Sequence, residues 1–126
     1  MILVDTSVWI DHFRQGDPAL VEALEAAQVG MHAFVLGELA CGNFGAAAKR
    51  SLVLELLQGL PFVPGSTEAE ALFFIDQHRL MGRGIGYIDV HLLASARLHG
   101  AKLWTRDKRL HELAIFLGVA HAPTQR

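Results

Sequence analysis

The 126 residues of this chain encode an α/β fold, a central and mostly parallel β-sheet flanked by helices, on three grounds. Short apolar runs of β-favouring residues alternate with longer segments whose apolar positions recur at helical spacing, which is the pattern of strand–helix units. The first of these runs ends at an acid, where a helix begins in such folds. No repeat, low-complexity tract or linker divides the chain, so 1–126 reads as one domain. Composition agrees, with 52% hydrophobic and 19% charged residues. A chain of this length removes roughly two-thirds of its unfolded surface from water and needs no disulfide to hold a core.

The elements follow in order. Ile2–Val4 is a buried strand running into a helix N-terminus at Asp5-Thr6-Ser7. Asp17-Pro18 is an N-cap with proline in the first turn, and Leu20, Val21, Leu24 and Ala27 predict a helix over about 18–28. After the apolar stretch Met31–Ala33, the residues Val35, Leu36, Leu39 and Ala40 predict a short helix broken near Gly42-Asn43, with Glu38 inside it. Ala46–Leu57 is a further helix stopped by Gly59. Pro61–Pro64 is a candidate short strand, and Thr67 with Glu70 forms a capping box for a helix reaching about Leu80. Gly82–Gly86 is a flexible loop, followed by an almost continuous apolar helix from Ile88 to Gly100 with Asp89 in its first turn. Lys102–Thr105 is the last full strand, Asp107 caps a helix bearing Leu110, Leu113, Ala114 and Leu117, and Val119–His121 adds a candidate edge strand.

Several function classes are excluded early. Eleven Lys and Arg against thirteen Asp and Glu create no general attraction to nucleic acid or anionic membrane, so an RNA contact needs a local patch or bound cations. The lone cysteine, Cys41, forms no internal bridge and no C-x-x-C zinc pair, and reads as a small buried apolar residue. No basic leader precedes the first apolar run, and Ala26–Ala48 is broken by Glu38 and by glycines, so neither a signal peptide nor a membrane span is expected. A cytoplasmic protein is expected.

Four acids sit awkwardly as ordinary surface residues. Asp5 ends an apolar strand, Asp89 opens an apolar helix, Asp107 follows a strand, and Glu38 interrupts the most charge-poor region. Each has an alternative as a cap, a first-turn acid or a surface residue. In parallel α/β sheets, however, strand carboxyl ends and the following helix N-termini converge on one edge. Clustered carboxylates repel one another unless a cation compensates, and hard oxygen donors without paired His or Cys favour Mg²⁺ or Mn²⁺. An acid pocket so loaded hydrolyses a phosphodiester by in-line attack of water.

These residues resemble the PIN-domain family, and within it the VapC-type toxins of bacterial toxin–antitoxin pairs. The resemblance rests on Ile2-Leu3-Val4-Asp5-Thr6-Ser7, on Glu38 in a short helix, on Gly86-Tyr87-Ile88-Asp89 leading into Leu92–Ala96, and on Leu103-Trp104-Thr105-Arg106-Asp107. It implies a single PIN-like nuclease domain and a metal-dependent endoribonuclease that cuts structured RNA, often tRNA. It also implies a homodimer blocked by a cognate antitoxin. Asp5, Glu38, Asp89 and Asp107 match the acidic quartet that holds Mg²⁺ or Mn²⁺; the first three would do so most directly, and Asp107 through water or with a second ion. The acid that orients the attacking water matches Glu38 or Asp5. Ser7 and Thr105 match hydroxyls that support the acids by hydrogen bonds.

Three other readings compete. A receiver-like phosphoacceptor domain suits the size, but the middle strand near Phe62-Val63 carries no Asp to phosphorylate. A haloacid-dehalogenase-like phosphatase would need a second Asp two residues after Asp5, where Ser7 stands. A PIN module that binds RNA or protein without cutting would not need the intact acids. The seven histidines are dispersed and read as surface or packing residues. Arg83 and the run Arg106-Asp107-Lys108-Arg109 offer candidate phosphate contacts or simply a solvated surface. Gly82-x-Gly84-x-Gly86 follows a helix and is no dinucleotide fingerprint. Trp9, Phe34, Phe44, Phe73, Phe74 and Phe116 read as core or subunit contacts rather than base-stacking platforms.

Overall fold

The computed structural model describes residues 1–43 and 47–123. Its order is β1 (Ile2–Val4), α1 (Thr6–Gln15), α2 (Pro18–Glu25), β2 (Val29–Gly30), α3 (Ala33–Cys41), α4 (Ala47–Gln58), α5 (Glu68–His78), α6 (Tyr87–His99), β3 (Lys102–Trp104) and α7 (Lys108–Phe116). The strands form a parallel sheet of order β2-β1-β3. Ile2 pairs with both Val29 and Lys102, and Leu3 with Gly30 and Leu103. The central strand β1 is buried along its whole length, which explains its uninterrupted Ile-Leu-Val. The helix α6 buries seven consecutive residues, Val90 to Ala96, and packs on β3 and α5. Leu3, Val4, Leu92, Leu93 and Leu103 are the centre of the core.

The helix ends obey local chemistry. Asp17 caps α2 by accepting from Ala19 N at 2.9 Å and Leu20 N at 3.2 Å. Thr67 and Glu70 form the expected capping box of α5. Two helices stop earlier than their apolar spacing predicts. The helix α2 ends at Glu25 because Ala27 adopts a left-handed turn, φ 55°, that lets Gln28 N return to Ala23 O and feeds β2. The helix α5 ends at His78 with Arg79 left-handed at φ 52°.

The candidate short strand at Pro61–Pro64 and the candidate edge strand at Val119–His121 both shrink to single parallel bridges, Met31 with Phe62 and Leu103 with Ala120. Pro61 and Pro64 flank the first and lack the N–H that a longer ladder needs. Cys41 corrects another expectation, since it is exposed rather than buried. The buried stripe of α3 runs through Val35 and Leu39, and a residue two places beyond Leu39 turns to the opposite side of the helix. Of the aromatic residues, Trp9 and Phe74 are core, Phe34, Phe73 and Phe116 are exposed, and Phe44 lies outside the described residues. Among the described residues, no helix is long and apolar enough to cross a membrane.

Candidate active site

The parallel sheet sends the ends of β1 and β3 to the same edge. Its ladder continues one step past the strands, with Asp5 N donating to Trp104 O at 2.8 Å, so Asp5 and Thr105 emerge side by side. Asp5 occupies the N-cap position of α1 but its carboxylate makes no capping bond. Instead Asp5 Oδ2 accepts from Thr105 Oγ1 at 2.7 Å and from Ser7 Oγ at 2.9 Å. The same hydroxyls accept in turn from the loop after β3, Ser7 Oγ from Arg106 N at 3.0 Å and Thr105 Oγ1 from Asp107 N at 3.0 Å. Two short relays thus tie the backbone that carries Asp107 to the buried carboxylate of Asp5.

The other acids are anchored similarly. Asp107 Oδ1 caps α7 by accepting from Leu110 N at 3.0 Å. Asp89 Oδ2, in the first turn of α6, accepts from Gly86 N at 3.3 Å. Glu38 is exposed on α3 and its Oε1 accepts from Thr6 Oγ1 at 3.0 Å. The helices bearing Glu38 and Asp89 are themselves joined. Buried His32 caps α3, its Nδ1 accepting from Phe34 N at 3.0 Å, and its Nε2 lies 3.2 Å from the buried Ser95 Oγ of α6. The histidine therefore serves packing and capping, as dispersed histidines are expected to do.

Electrostatics records the proximity of the four acids. Asp89 has its carboxyl pushed above the usual aspartate range, first by burial and then by the negative charges of Asp5, Asp107 and Glu38, while the Gly86 N–H pulls the other way. Among the described residues, no three acidic, imidazole or thiol groups converge closely enough to enclose an ion as they stand. Each acid nonetheless spends one oxygen on protein donors and keeps the other, Asp5 Oδ1, Glu38 Oε2, Asp89 Oδ1 and Asp107 Oδ2, outside any hydrogen bond among the described residues. Four acids with spare hard oxygens, three of whose charges act on the fourth, Asp89, would fit a hard divalent cation. Beside them a cleft of about 450 Å³ runs between α1 and α3, walled by Ile10, Phe13, Leu39 and Glu38.

Two features escape a reading of the sequence. Thr6 is the partner of Glu38, and its signal was a hydroxyl directly after Asp5. The guanidinium of Arg106 is held by Asp17 and, at 2.7 Å, by Asp11, so this candidate phosphate contact is committed to carboxylates. No feature local to Arg106 could have shown that.

The PIN domain family matches residues 2–115. Ribonuclease VapC32 of Mycobacterium tuberculosis is 48% identical over 123 residues, covering 97% of both chains. Among solved structures, FitAcB from Neisseria gonorrhoeae superposes with a TM-score of 0.67 at 23% identity over 95% of each chain. A toxin–antitoxin complex from Klebsiella pneumoniae superposes with a TM-score of 0.62 at 24% identity, over 85% of this chain and 87% of that one. These two likenesses bear on the fold, whereas the family match and the VapC32 identity extend over nearly all of the sequence. By that breadth of agreement, this chain belongs to the PIN-domain family, among its VapC-type members.

Proposed function

We propose that the protein is a toxin of the VapC type, a metal-dependent endoribonuclease that works in the cytoplasm as one PIN-like domain spanning 1–126. The observation that carries this is the set of four carboxylates, each fixed through one oxygen and free at the other. The receiver and dehalogenase-like alternatives fall with the family assignment.

In this reading Asp5, Glu38, Asp89 and Asp107 hold Mg²⁺ or Mn²⁺. The ion, when bound, supplies positive charge to the scissile phosphate and to the attacking water. The remaining work belongs to the chain. Ser7 and Thr105 hold Asp5 in one orientation, so its spare oxygen is preorganised. Glu38, solvent-exposed with Oε2 clear of protein donors, is better placed than buried Asp5 to orient the water and take its proton as the water oxygen bonds to phosphorus and the P–O bond to the sugar breaks, the leaving oxygen taking a proton from solvent. Structured RNA such as tRNA is the proposed substrate.

A cognate antitoxin is the proposed inhibitor, in keeping with the Klebsiella relative, whose structure is a toxin–antitoxin complex. Homodimer formation is supported by exposed Phe34, Leu72 and Tyr87 sharing one shallow cleft, with Phe73 exposed nearby on α5.

The test is cleavage of a total RNA and tRNA panel by antitoxin-free protein with Mg²⁺ or Mn²⁺, alongside EDTA and Asp5→Asn controls. Cutting lost in both controls supports the reading. Cutting that persists in Asp5→Asn, or its absence from folded wild type with metal, overturns it and favours a binding module.

A further inference from the structure

The glycine loop and the cations beside the acids have no part in the scheme above. Of the four candidates, Arg83, Arg106, Lys108 and Arg109, Arg106 is consumed by Asp11 and Asp17. Arg109 is placed differently. It rises from the first turn of α7, two residues after Asp107, and lays its side chain across Gly84. A β-carbon at Gly84 would stand 2.8 Å from Arg109 Cδ and 3.1 Å from Cζ, and would collide with Nη1. Gly84 also has φ +81°, a conformation that favours glycine, and the Arg109 side chain occupies the space where a β-carbon would stand.

The seat lies two residues before Gly86, whose N–H holds Asp89. Arg109 therefore spans the seam between the element bearing Asp107 and the loop that presents Asp89. Among the described residues its guanidinium has no hydrogen bond or ion pair, although four carboxylates are gathered at this edge. Its exposed side chain lies over the space that Gly84 leaves open, with the guanidinium free to meet an anion at this edge.

We propose that Arg109 grips a backbone phosphate of the RNA strand adjacent to the one being cut, with Gly84 as the seat that aims it. This rests on the ribonuclease reading. A guanidinium donates to two phosphate oxygens at once, which positions the strand without reading its bases.

The experiment compares wild type with Arg109→Gln, Arg109→Lys and Gly84→Ala, all confirmed folded by melting temperature. The readouts are cleavage kinetics in Mn²⁺ and the salt dependence of RNA binding in EDTA, where no strand is cut. Arg109→Gln is expected to raise KM about tenfold with a much smaller effect on kcat, the loss of one charge-assisted contact. Its binding should lose about 0.7 from the slope of log K against log salt. Arg109→Lys should recover the slope but not all of KM, because an ammonium is a single point donor. Gly84→Ala should raise KM with the charge unaltered. If wild type cuts RNA while Arg109→Gln keeps both its KM and its salt slope, the assignment falls and the ribonuclease reading stands. If wild type cuts no RNA, both fall.

Discussion

Thr105 Oγ1 donates a 2.7 Å hydrogen bond to Asp5 Oδ2, joining residues 100 positions apart at the ends of adjacent parallel strands. The same oxygen accepts from Asp107 N. One hydroxyl thus orients one acid of the site and fixes the backbone of another, which is more than a side chain at a strand end ordinarily does.

Removing that hydroxyl tests how far the site depends on it. Thr105→Val keeps the shape but leaves buried Asp5 short of a donor and Asp107 N without an acceptor. The expected cost is about 1–3 kcal/mol of stability, with cleavage or Mn²⁺ affinity reduced about 10–100-fold. Thr105→Ser should retain most of both. Calorimetric Mn²⁺ titration and cleavage kinetics on the three proteins decide it; equal affinity and rate in Thr105→Val would show that the relay is idle.

Asp89 carries an electrostatic strain with a definite sign. Its folded pKa lies above that of the unfolded chain, so between the two values the folded protein holds a proton that the unfolded chain has released. Stability therefore falls as pH rises through that window. Asp89→Asn should melt at a higher temperature than wild type at pH 7, with the gain shrinking as pH falls through the raised value towards the ordinary aspartate range. Cleavage should be lost. Millimolar Mn²⁺ should raise the melting temperature of wild type by binding linkage, and less so in the variant. Calorimetric melting over pH 4–8, with and without Mn²⁺, reads both effects.

How legible the molecule is from its sequence depends on the distance over which each determinant acts. Asp17, Thr67 with Glu70, and Asp107 are caps whose partners lie within three residues, and the buried run of α6 is continuous along the chain, so these features can be read locally. The general rule that strand ends and the following helix starts share an edge brings Asp5 and Asp107 to one side of the sheet, whereas Thr105 was legible only through the family resemblance. Helix ends set by a left-handed residue, at Ala27 and Arg79, carry no such signature, since alanine and arginine rarely adopt that conformation. The contacts of Thr6 with Glu38 and of Arg106 with Asp17 bridge 32 and 89 residues, and are decided by how α1, α2 and α3 settle on the sheet.

The Arg106 clamp should matter for stability more than a surface pair does. Asp17 is buried, and it already serves α2 as its N-cap through Oδ1 while Oδ2 meets Arg106. Arg106→Ala leaves that charge without its cation. Since Arg106 is itself 39% exposed, water offsets part of the loss, and about 1–2 kcal/mol is expected rather than the larger penalty of a fully buried pair. Urea denaturation measures it. In a double-mutant cycle, Arg106→Ala should cost much less once Asp17 is Asn; an additive result would mean that the clamp carries no coupling energy.

His32 predicts an acid limb of the stability curve. Its Nδ1 accepts from Phe34 N, so the ring proton sits on Nε2 and donates to Ser95. Protonating Nδ1 would set two N–H groups against each other at the start of α3. The imidazole pKa is accordingly lowered, first by burial and then by the positive charge that His91 can carry. Below the ordinary imidazole value of 6.5 the unfolded chain takes up a proton that the folded protein refuses, so stability is full above that value and is lost as pH falls towards the lowered one. His32→Asn keeps a capping side chain but titrates nowhere in this range. It should be less stable than wild type at pH 8, by about 1–3 kcal/mol for the unpaired Ser95 hydroxyl and the smaller ring volume, and the gap should narrow as pH approaches 5. The difference between the two melting curves isolates His32 together with its coupling to His91, because Asp89 and the remaining histidines contribute equally to both. A gap that stays constant from pH 8 to pH 5 would remove His32 as the source. Since His32 caps the helix of Glu38 and Ser95 lies on the helix of Asp89, the same acidification should loosen both acids together and reduce cleavage in step with stability.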